Sequence, residues 1–169
     1  GKNTSKKKGI LISTGTSNFG YKKNLNLDLK ILFSKKFKQY NFYIDKKLLK
    51  NQKILTSNIK IADFSENMFD KIKVAIIKPG FGSIHECLER GIPIISYLEG
   101  VEKEFIYNAK ILKKKKIGNY FFNFKDALED AISKFNNEQK IRKIKKICMH
   151  LKWNGENKIN NLINKKNYI

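Results

Sequence analysis

The chain has 169 residues, of which 41% are apolar, so it can bury the core of one ordinary globular domain. This composition excludes a disordered protein, and the most apolar run, residues 92–98, is shorter than the roughly 20 residues of a membrane span. The formal net charge of +21 comes from 36 basic residues, of which only Arg90 and Arg142 are arginine. Because nucleic-acid readers favour arginine, we interpret most lysines as solvated surface and rank a basic nucleic-acid-binding module as a minor alternative.

Short apolar runs alternate with helix-like segments along the chain, which is typical of βαβ units. The predicted strands are residues 9–14, 41–44, 58–61, 73–78, 93–97 and 117–121. The predicted helices are residues 25–37, 67–72 (behind a Ser65 cap), 84–90, 102–115, 126–135, 138–153 and 155–165. The pattern predicts an α/β fold: a Rossmann-like, doubly wound parallel sheet of about six strands with helices on both faces.

The predicted domain covers residues 9–153. Residues 1–8 are expected to be a disordered or added N-terminal tail, and residues 154–169 a helix that crosses to a missing N-terminal domain. The polar, lysine-rich N-terminus lacks the apolar block of a signal peptide, so we expect a cytoplasmic protein. Cys87 and Cys148 are too few and too far apart to predict a metal cluster or a disulfide framework, and we expect two buried thiols.

The segment from Lys78 to Tyr97, KPGFGSIHECLERGIPIISY, carries the strongest chemical signal. Gly80 and Gly82 permit a tight turn and a close approach of a ligand. Ser83 lies where the helix predicted at residues 84–90 begins, so we expect the free amides of residues 83–85 to bind a phosphate. Glu86 then falls on the first turn, where its carboxylate accepts hydrogen bonds from ribose hydroxyls. The alternative role for Glu86 is stabilisation of the helix end, by about 0.3–1 kcal/mol.

Two neighbours of Glu86 offer rival chemistry. His85 has the pKa range for proton transfer, but a lone histidine on a first helical turn is more often a polar surface group. Cys87 lies near a helix N-terminus, where thiolates are favoured, but no general base is paired with it in sequence. We favour an apolar core position for Cys87.

These motifs resemble the C-terminal nucleotide-binding domain of GT-B glycosyltransferases. The family containing the enzyme that adds GlcNAc to the lipid-linked peptidoglycan precursor (glycosyltransferase family 28) is the most similar. The matching residues are Gly80, Gly82, Ser83 and Glu86, then Gly91-Ile92-Pro93, then Asn108-Ala109, after an opening strand and loop at residues 10–20. The resemblance covers roughly residues 9–122, with the motifs in the family's order.

The resemblance implies a role for each matching position. Around the phosphates it places Gly15, Thr16, Ser17, Gly80, Gly82, Ser83 and Ile84. It places Phe64 near the base and Glu86 at the ribose. The loop that contains Glu99, Glu102 and Glu104 would approach the donor sugar. The sequence departs from the family at Lys78, often His or Arg, and at Thr16, where relatives have a second glycine. Glu104 and Phe105 occupy the positions of the family's sugar-binding glutamines.

The implied function is binding of a nucleotide-diphosphate-sugar donor, expected to be a UDP-sugar, for transfer of a hexosyl group. The resemblance implies neither a cofactor nor a metal. It places the catalytic base in a missing N-terminal domain, so we name no catalytic residue and expect this C-terminal half to be inactive alone. The alternatives are a free-standing donor-binding subunit with a membrane-anchored partner, and a sugar-nucleotide hydrolase or epimerase of the same fold.

A basic amphipathic segment at residues 139–153 has two interpretations. Its apolar stripe predicts either a helix packed on the sheet with a solvated lysine face, which we favour, or a membrane-surface helix. With the lysine run at residues 113–116, it leaves an anionic membrane surface as a candidate partner and peripheral attachment at the inner face as a candidate location.

Overall fold

The computed structural model describes residues 9–15, 27–49 and 56–151. Within these ranges six strands form one sheet: β1 (Gly9–Ser13), β2 (Asn41–Ile44), β3 (Ile59–Ile61), β4 (Ile72–Ile77), β5 (Ile94–Tyr97) and β6 (Gly118–Phe121). Every neighbouring pair is parallel, and the strand order is β3-β2-β1-β4-β5-β6. The predicted α/β, Rossmann-like sheet is therefore confirmed.

The described α-helices are α1 (Lys46–Leu49), α2 (Glu66–Phe69), α3 (Phe81–Glu89), α4 (Lys103–Lys114), α5 (Phe124–Phe135) and α6 (Glu138–His150). The predicted Ser65 cap is confirmed, since the Ser65 hydroxyl accepts a hydrogen bond from the Met68 amide at 3.1 Å. Gly91 follows α3 with a φ of +62°, as expected of a residue that ends a helix. The sequence pattern did not predict α1, which has only four residues.

The prediction of a continuous helix over residues 25–37 is wrong. The described part contains two 3-10 helices, Leu29–Phe33 and Lys35–Phe37, separated by Ser34 in an extended conformation. A 3-10 helix repeats every three residues, so Leu29 and Leu32 face the core together while Phe33 is 38% exposed. A period of 3.6 residues would have buried Phe33 on the same stripe.

Helix α3 begins at Phe81, three residues before the predicted start at residue 84. Gly80 is extended and precedes the helix, and its carbonyl accepts a hydrogen bond from the Ile84 amide at 2.9 Å. Glycine can adopt helical backbone angles, so Gly82 lies within the first turn of α3 and not in a loop before the helix. This earlier start changes which amides of α3 lack an acceptor within the helix.

The apolar stripe of α6 packs on the core, as favoured from the sequence. Ile144 and Cys148 are buried in the core beside α2 and α3, and Ile147 and Leu151 pack against that part of the core. Ile141 packs against the part of the core that contains α5. This stripe is therefore not available to a membrane surface. The helix ends at His150, and the predicted segment at 155–165 lies outside the described residues. No helix among the described residues is long and apolar enough to span a bilayer.

The two faces of the sheet carry different helices because side chains alternate along each strand. Ile10 and Ile12 of β1 pack with α5 and the 3-10 helices, whereas Leu11 packs with α2, α3 and α6. Connections from β1 and from β4 therefore leave toward opposite faces of the sheet. Their divergence opens a crevice at the carboxyl ends of β1 and β4, which is where ligands bind in doubly wound sheets.

We expect Gly118→Ala to destabilise the fold by about 1–3 kcal/mol, because a Cβ there would lie 2.8 Å from the Ile94 carbonyl oxygen and 3.2 Å from the Leu112 Cβ. Urea unfolding of both proteins measures the change. Gly82→Ala is the control, since no heavy atom lies within 4 Å of its added Cβ. Equal midpoints for Gly118→Ala and the parent chain would contradict the close packing of β6 on β5 and α4.

Candidate functional site

A crevice of about 310 Å³ lies at the carboxyl ends of β1 and β4. Its walls come from the ends of these strands, the segment before α2, and helix α3. They are formed by Leu11, Ser13, Gly15, Phe64, Phe69, Ile77, Gly82, Ser83, Glu86 and Cys87. The structure thus brings together five residues that the sequence assigned to the donor site: Gly15, Phe64, Gly82, Ser83 and Glu86.

The start of the loop after β1 is held by a buried polar relay. The Gly15 amide donates to the Ser13 hydroxyl at 3.0 Å, and that hydroxyl donates to the Asp45 Oδ2 at 3.2 Å. Gly15 has a φ of +81°, and a Cβ on it would lie 3.4 Å from the Ser83 Oγ. A side chain at position 15 would therefore be strained and would crowd the start of α3. Thr16 and Ser17 lie outside the described residues, so their roles stay predictions.

Asp45 is a functional candidate that the sequence reasoning missed. It is buried at the end of β2, where its Oδ1 also accepts a hydrogen bond from the Lys47 amide at 3.0 Å. The sequence feature that could have indicated Asp45 is an acidic residue directly after an apolar strand. Its bonds to Ser13 and Lys47 position the loop after β1 rather than contact a ligand directly.

The N-terminus of α3 forms part of the crevice wall through Gly82 and Ser83. In any α-helix the first amides have no acceptor within the helix. Here these are the amides of residues 81–83, since the Ile84 amide already donates to Gly80. The predicted set, residues 83–85, is corrected accordingly, and Ile84 packs its side chain against the core. The helix terminus still carries partial positive charge and suits an anion.

The turn before α3 is fixed from both sides. The Gly80 amide donates to the Lys78 carbonyl at 2.8 Å, and the Asn108 side-chain amide donates to the Pro79 carbonyl at 3.0 Å. Gly80 faces Phe105, whose ring would lie 3.6 Å from an added Cβ, and it does not line the crevice. The Asn-Ala motif of α4 therefore acts on the site by holding this turn.

Glu86 lies on the second turn of α3, not on the first as predicted, because the helix starts earlier. Its side chain is 39% exposed, lines the crevice, and pairs with the Arg90 guanidinium at 2.9 Å. Arg90 in turn lies 5.0 Å from the centre of the Phe69 ring. The ion pair orients the carboxylate one turn inside the helix, so the alternative role at the first turn is excluded.

Lys78 is a second residue that the sequence reasoning did not place in the site. It follows β4 directly, is only 3% exposed, and holds its ammonium 4.9 Å from the centre of the Phe105 ring. Its Cε would lie 4.0 Å from a Cβ on Gly15, so its stem runs directly behind the crevice. Burial lowers the pKa of Lys78, the charge of Lys47 lowers it further, and Glu102 opposes both effects.

Phe64 is held in an unusual backbone conformation at the crevice. Its φ of +55° is in the left-handed region, which costs non-glycine residues roughly 1–2 kcal/mol. Around it, Asp63 accepts hydrogen bonds from the Ser65 amide at 3.0 Å and the Ser65 hydroxyl at 2.8 Å. These bonds hold the pKa of the Asp63 carboxyl below its ordinary value. The resulting turn presents a Phe64 ring that is 43% exposed.

The three acidic candidates for the donor sugar do not line this crevice. Glu99 accepts a hydrogen bond from the Tyr97 hydroxyl and lines a second cavity. Glu102 precedes α4 and lies near enough to Lys78 to influence its pKa. Glu104 is exposed on the first turn of α4. Their predicted contact with the sugar stays a prediction.

The rival chemistry beside Glu86 finds little support. His85 is exposed, and Cys87 is buried. Burial raises the pKa of the Cys87 thiol from 9.0 to about 12, which disfavours a thiolate nucleophile. Among the residues that the structure describes, no group of His, Cys, Asp and Glu side chains could hold a metal ion.

Three solved glycosyltransferases resemble this structure: the glycosyltransferase of kitacinnamycin, the glycosyltransferase SnogD from Streptomyces nogalater, and the spinosyn forosaminyltransferase SpnP. Each has a TM-score of 0.60, with sequence identities of 14%, 12% and 13%, over 88%, 86% and 85% of this chain. The chain shares the fold of a glycosyltransferase domain. It spans only 41%, 40% and 39% of the length of those proteins.

No protein-family model and no curated protein sequence matches the chain. Identities this low establish the fold alone. The predicted resemblance to glycosyltransferases is therefore confirmed at the level of the fold, and membership of family 28 stays a proposal.

We expect the Cys87 thiol to resist alkylation in the folded chain at pH 8 and to react rapidly in urea. The raised pKa keeps the thiol protonated when folded, whereas the unfolded thiol ionises near its ordinary value of 9.0. For the same reason Cys87 should reduce stability as the pH rises from about 9 toward 12. Mass spectrometry of peptides containing Cys87 measures the reaction. Equal rates with and without urea would contradict the buried position.

Proposed function

We propose that this chain is the donor-binding domain of a two-domain glycosyltransferase that uses a nucleotide-diphosphate sugar. The observation that carries the proposal is the convergence in one crevice of a helix N-terminus, a glycine with positive φ and a carboxylate. The crevice lies at the point in the sheet where such ligands bind. The glycosyltransferase fold supports the same reading.

Different residues of the crevice suit the phosphates, the ribose and the base of a nucleotide. At its α3 end, the amides of residues 81–83 and the nearby Lys78 ammonium favour a diphosphate. Glu86 can accept hydrogen bonds from two ribose hydroxyls, as a carboxylate does for neighbouring donors. In the same crevice, the exposed Phe64 ring offers a flat apolar surface to a base. A UDP-sugar, as expected from the sequence, is the donor we propose.

Catalysis by such a domain would act on the leaving group. Negative charge grows on the diphosphate as the bond to the sugar breaks, and preorganised amides together with a buried cation stabilise that charge. Gly15 and the turn at Pro79 keep these groups in place through the bonds to Ser13 and Asn108. The base that activates the acceptor is proposed to lie in a second domain or partner chain, which is consistent with the share of each related protein that this chain covers.

The finer assignments belong to the same proposal. Membership of glycosyltransferase family 28 rests on the Gly-x-Gly-Ser-x-x-Glu and Asn-Ala motifs. A cytoplasmic location rests on the polar N-terminal sequence, and attachment to anionic lipids rests on the lysine-rich surface alone. A hydrolase or epimerase acting on the same donor would use the same crevice and differ in its product.

We expect Glu86→Ala to weaken UDP binding by the 169-residue chain roughly ten- to a hundredfold, because a charged acceptor of two hydrogen bonds is lost. Amide NMR shifts during titration with UDP, GDP and CDP measure affinity and base selectivity. Glu89→Ala is the matched control, since Glu89 lies on the same helix, also pairs with Arg90, and does not line the crevice. Salt-sensitive binding of all three nucleotides that ignores Glu86 would overturn the proposal.

We expect Lys78→Met to weaken UDP binding while leaving uridine binding unchanged, since only UDP carries phosphates. Met keeps most of the length of the lysine stem, and urea unfolding of the variant checks that it remains folded. In the parent chain UDP affinity should fall as the pH rises through the lowered pKa of Lys78. The same titrations test this, and an equal loss for uridine and UDP would assign Lys78 a structural role only.

A further inference from the structure

A second cavity of about 300 Å³ opens at the same edge of the sheet but on its opposite face. Tyr97, which lines it, packs in the core cluster of α5 and the 3-10 helices, whereas the first crevice is lined by Leu11 and Cys87 from the other cluster. The two cavities therefore flank the carboxyl ends of the central strands. No residue of the proposed donor crevice lines this second cavity.

One side of the second cavity is apolar and fixed. Leu27, Ile31 and Phe124 line it, and Phe124 packs edge-on against Tyr97 with ring centres 6.0 Å apart. Phe124, Tyr97 and Leu27 are buried members of the core. A wall built from core residues keeps its shape without a ligand, as small-molecule sites usually do.

The other side carries oriented polar groups. Glu99 accepts a hydrogen bond from the Tyr97 hydroxyl, and Asp28 Oδ1 accepts from the Lys30 amide at 3.2 Å. The Asn123 side chain caps α5 through the Asp126 amide at 2.8 Å. Each of these groups is positioned by its own local bond, and carboxylates and amides retain capacity for further hydrogen bonds.

The charge of the second cavity distinguishes it from the first. Two carboxylates, Asp28 and Glu99, face it together with one ammonium group, Lys125. The chain as a whole has a formal net charge of +21, so a cavity with more carboxylates than cations is unusual on this surface. Phosphates are disfavoured here, whereas ligands with several neutral hydroxyl donors are favoured.

We propose that the second cavity binds an uncharged sugar ring. The ring's C–H face lies against Phe124 and Ile31, and its hydroxyls donate to Glu99 and Asp28. A volume of about 300 Å³ is at the lower end of ligand cavities and suits one ring. The assignment rests on the lining of the cavity, and it makes Glu99 the partner of a ring other than the donor sugar, unlike the contact that the resemblance implies for Glu99.

The test titrates the 169-residue chain with methyl glycosides of glucose, galactose and N-acetylglucosamine, following amide NMR shifts, with and without saturating UDP. We expect saturable shifts at Tyr97, Glu99, Asn123 and Phe124 for at least one glycoside. Glu99→Gln, which keeps the side-chain shape, should weaken that binding about five- to tenfold. Glu129→Gln is the control, because Glu129 is exposed on α5, pairs with Lys36 and does not line the cavity.

The outcomes separate this inference from the proposed function. UDP shifts in the first crevice without any glycoside shift at the second cavity would overturn the inference alone. Glycoside binding without UDP binding would support a sugar site and sink the donor-domain proposal. Equal losses in Glu99→Gln and Glu129→Gln, or saturation of the second cavity by inorganic phosphate, would also overturn the inference. Asp28→Asn provides a second variant should Glu99→Gln prove unstable.

Discussion

The parallel pairing of β1 with β4 is the constraint on which the site depends. Leu11 of β1 lies beside Tyr43 of β2 on one side and beside Ala75 of β4 on the other, so the chain must leave these central strands toward opposite faces. That divergence leaves space at the carboxyl edge, and the buried apolar strands keep the edge rigid. The loop at Gly15, the cation at Lys78 and the start of α3 then meet in one place because each directly follows a central strand.

Electrostatics at this edge is set by a few placed groups rather than by the net charge. The many exposed lysines attract anions only generally, and their effect falls off with salt over about a Debye length. Lys78 is different, since its side chain is buried behind Gly15, where water screens charge less. On the opposite face Glu99 and Asp28 give the second cavity more carboxylates than ammonium groups. A strongly basic chain thereby carries two cavities of different character.

Hydrogen bonds from side chains hold the segments that form the site. Asp45 reaches the loop after β1 through Ser13, and Asn108 holds the turn at Pro79 from α4. Asp63 and Ser65 together hold Phe64 in its left-handed conformation. Such bonds limit the motion of a crevice that must be formed before its ligand arrives, which lowers the cost of binding.

The sequence by itself determined the strand pattern, each strand to within one residue, together with the Ser65 cap and the glycine after α3. These features depend on local apolar runs and backbone preferences, which neighbouring residues in the sequence determine. The Gly-x-Gly-Ser-x-x-Glu motif likewise indicated the first crevice. Only the tertiary structure decided that α3 starts at Phe81, that residues 29–37 form 3-10 helices, and that Lys78, Asp45 and Glu99 occupy their places around the two cavities. The start of α3 and the buried charges depend on what other segments supply, such as the Asn108 bond to Pro79, and that packing has no local signature.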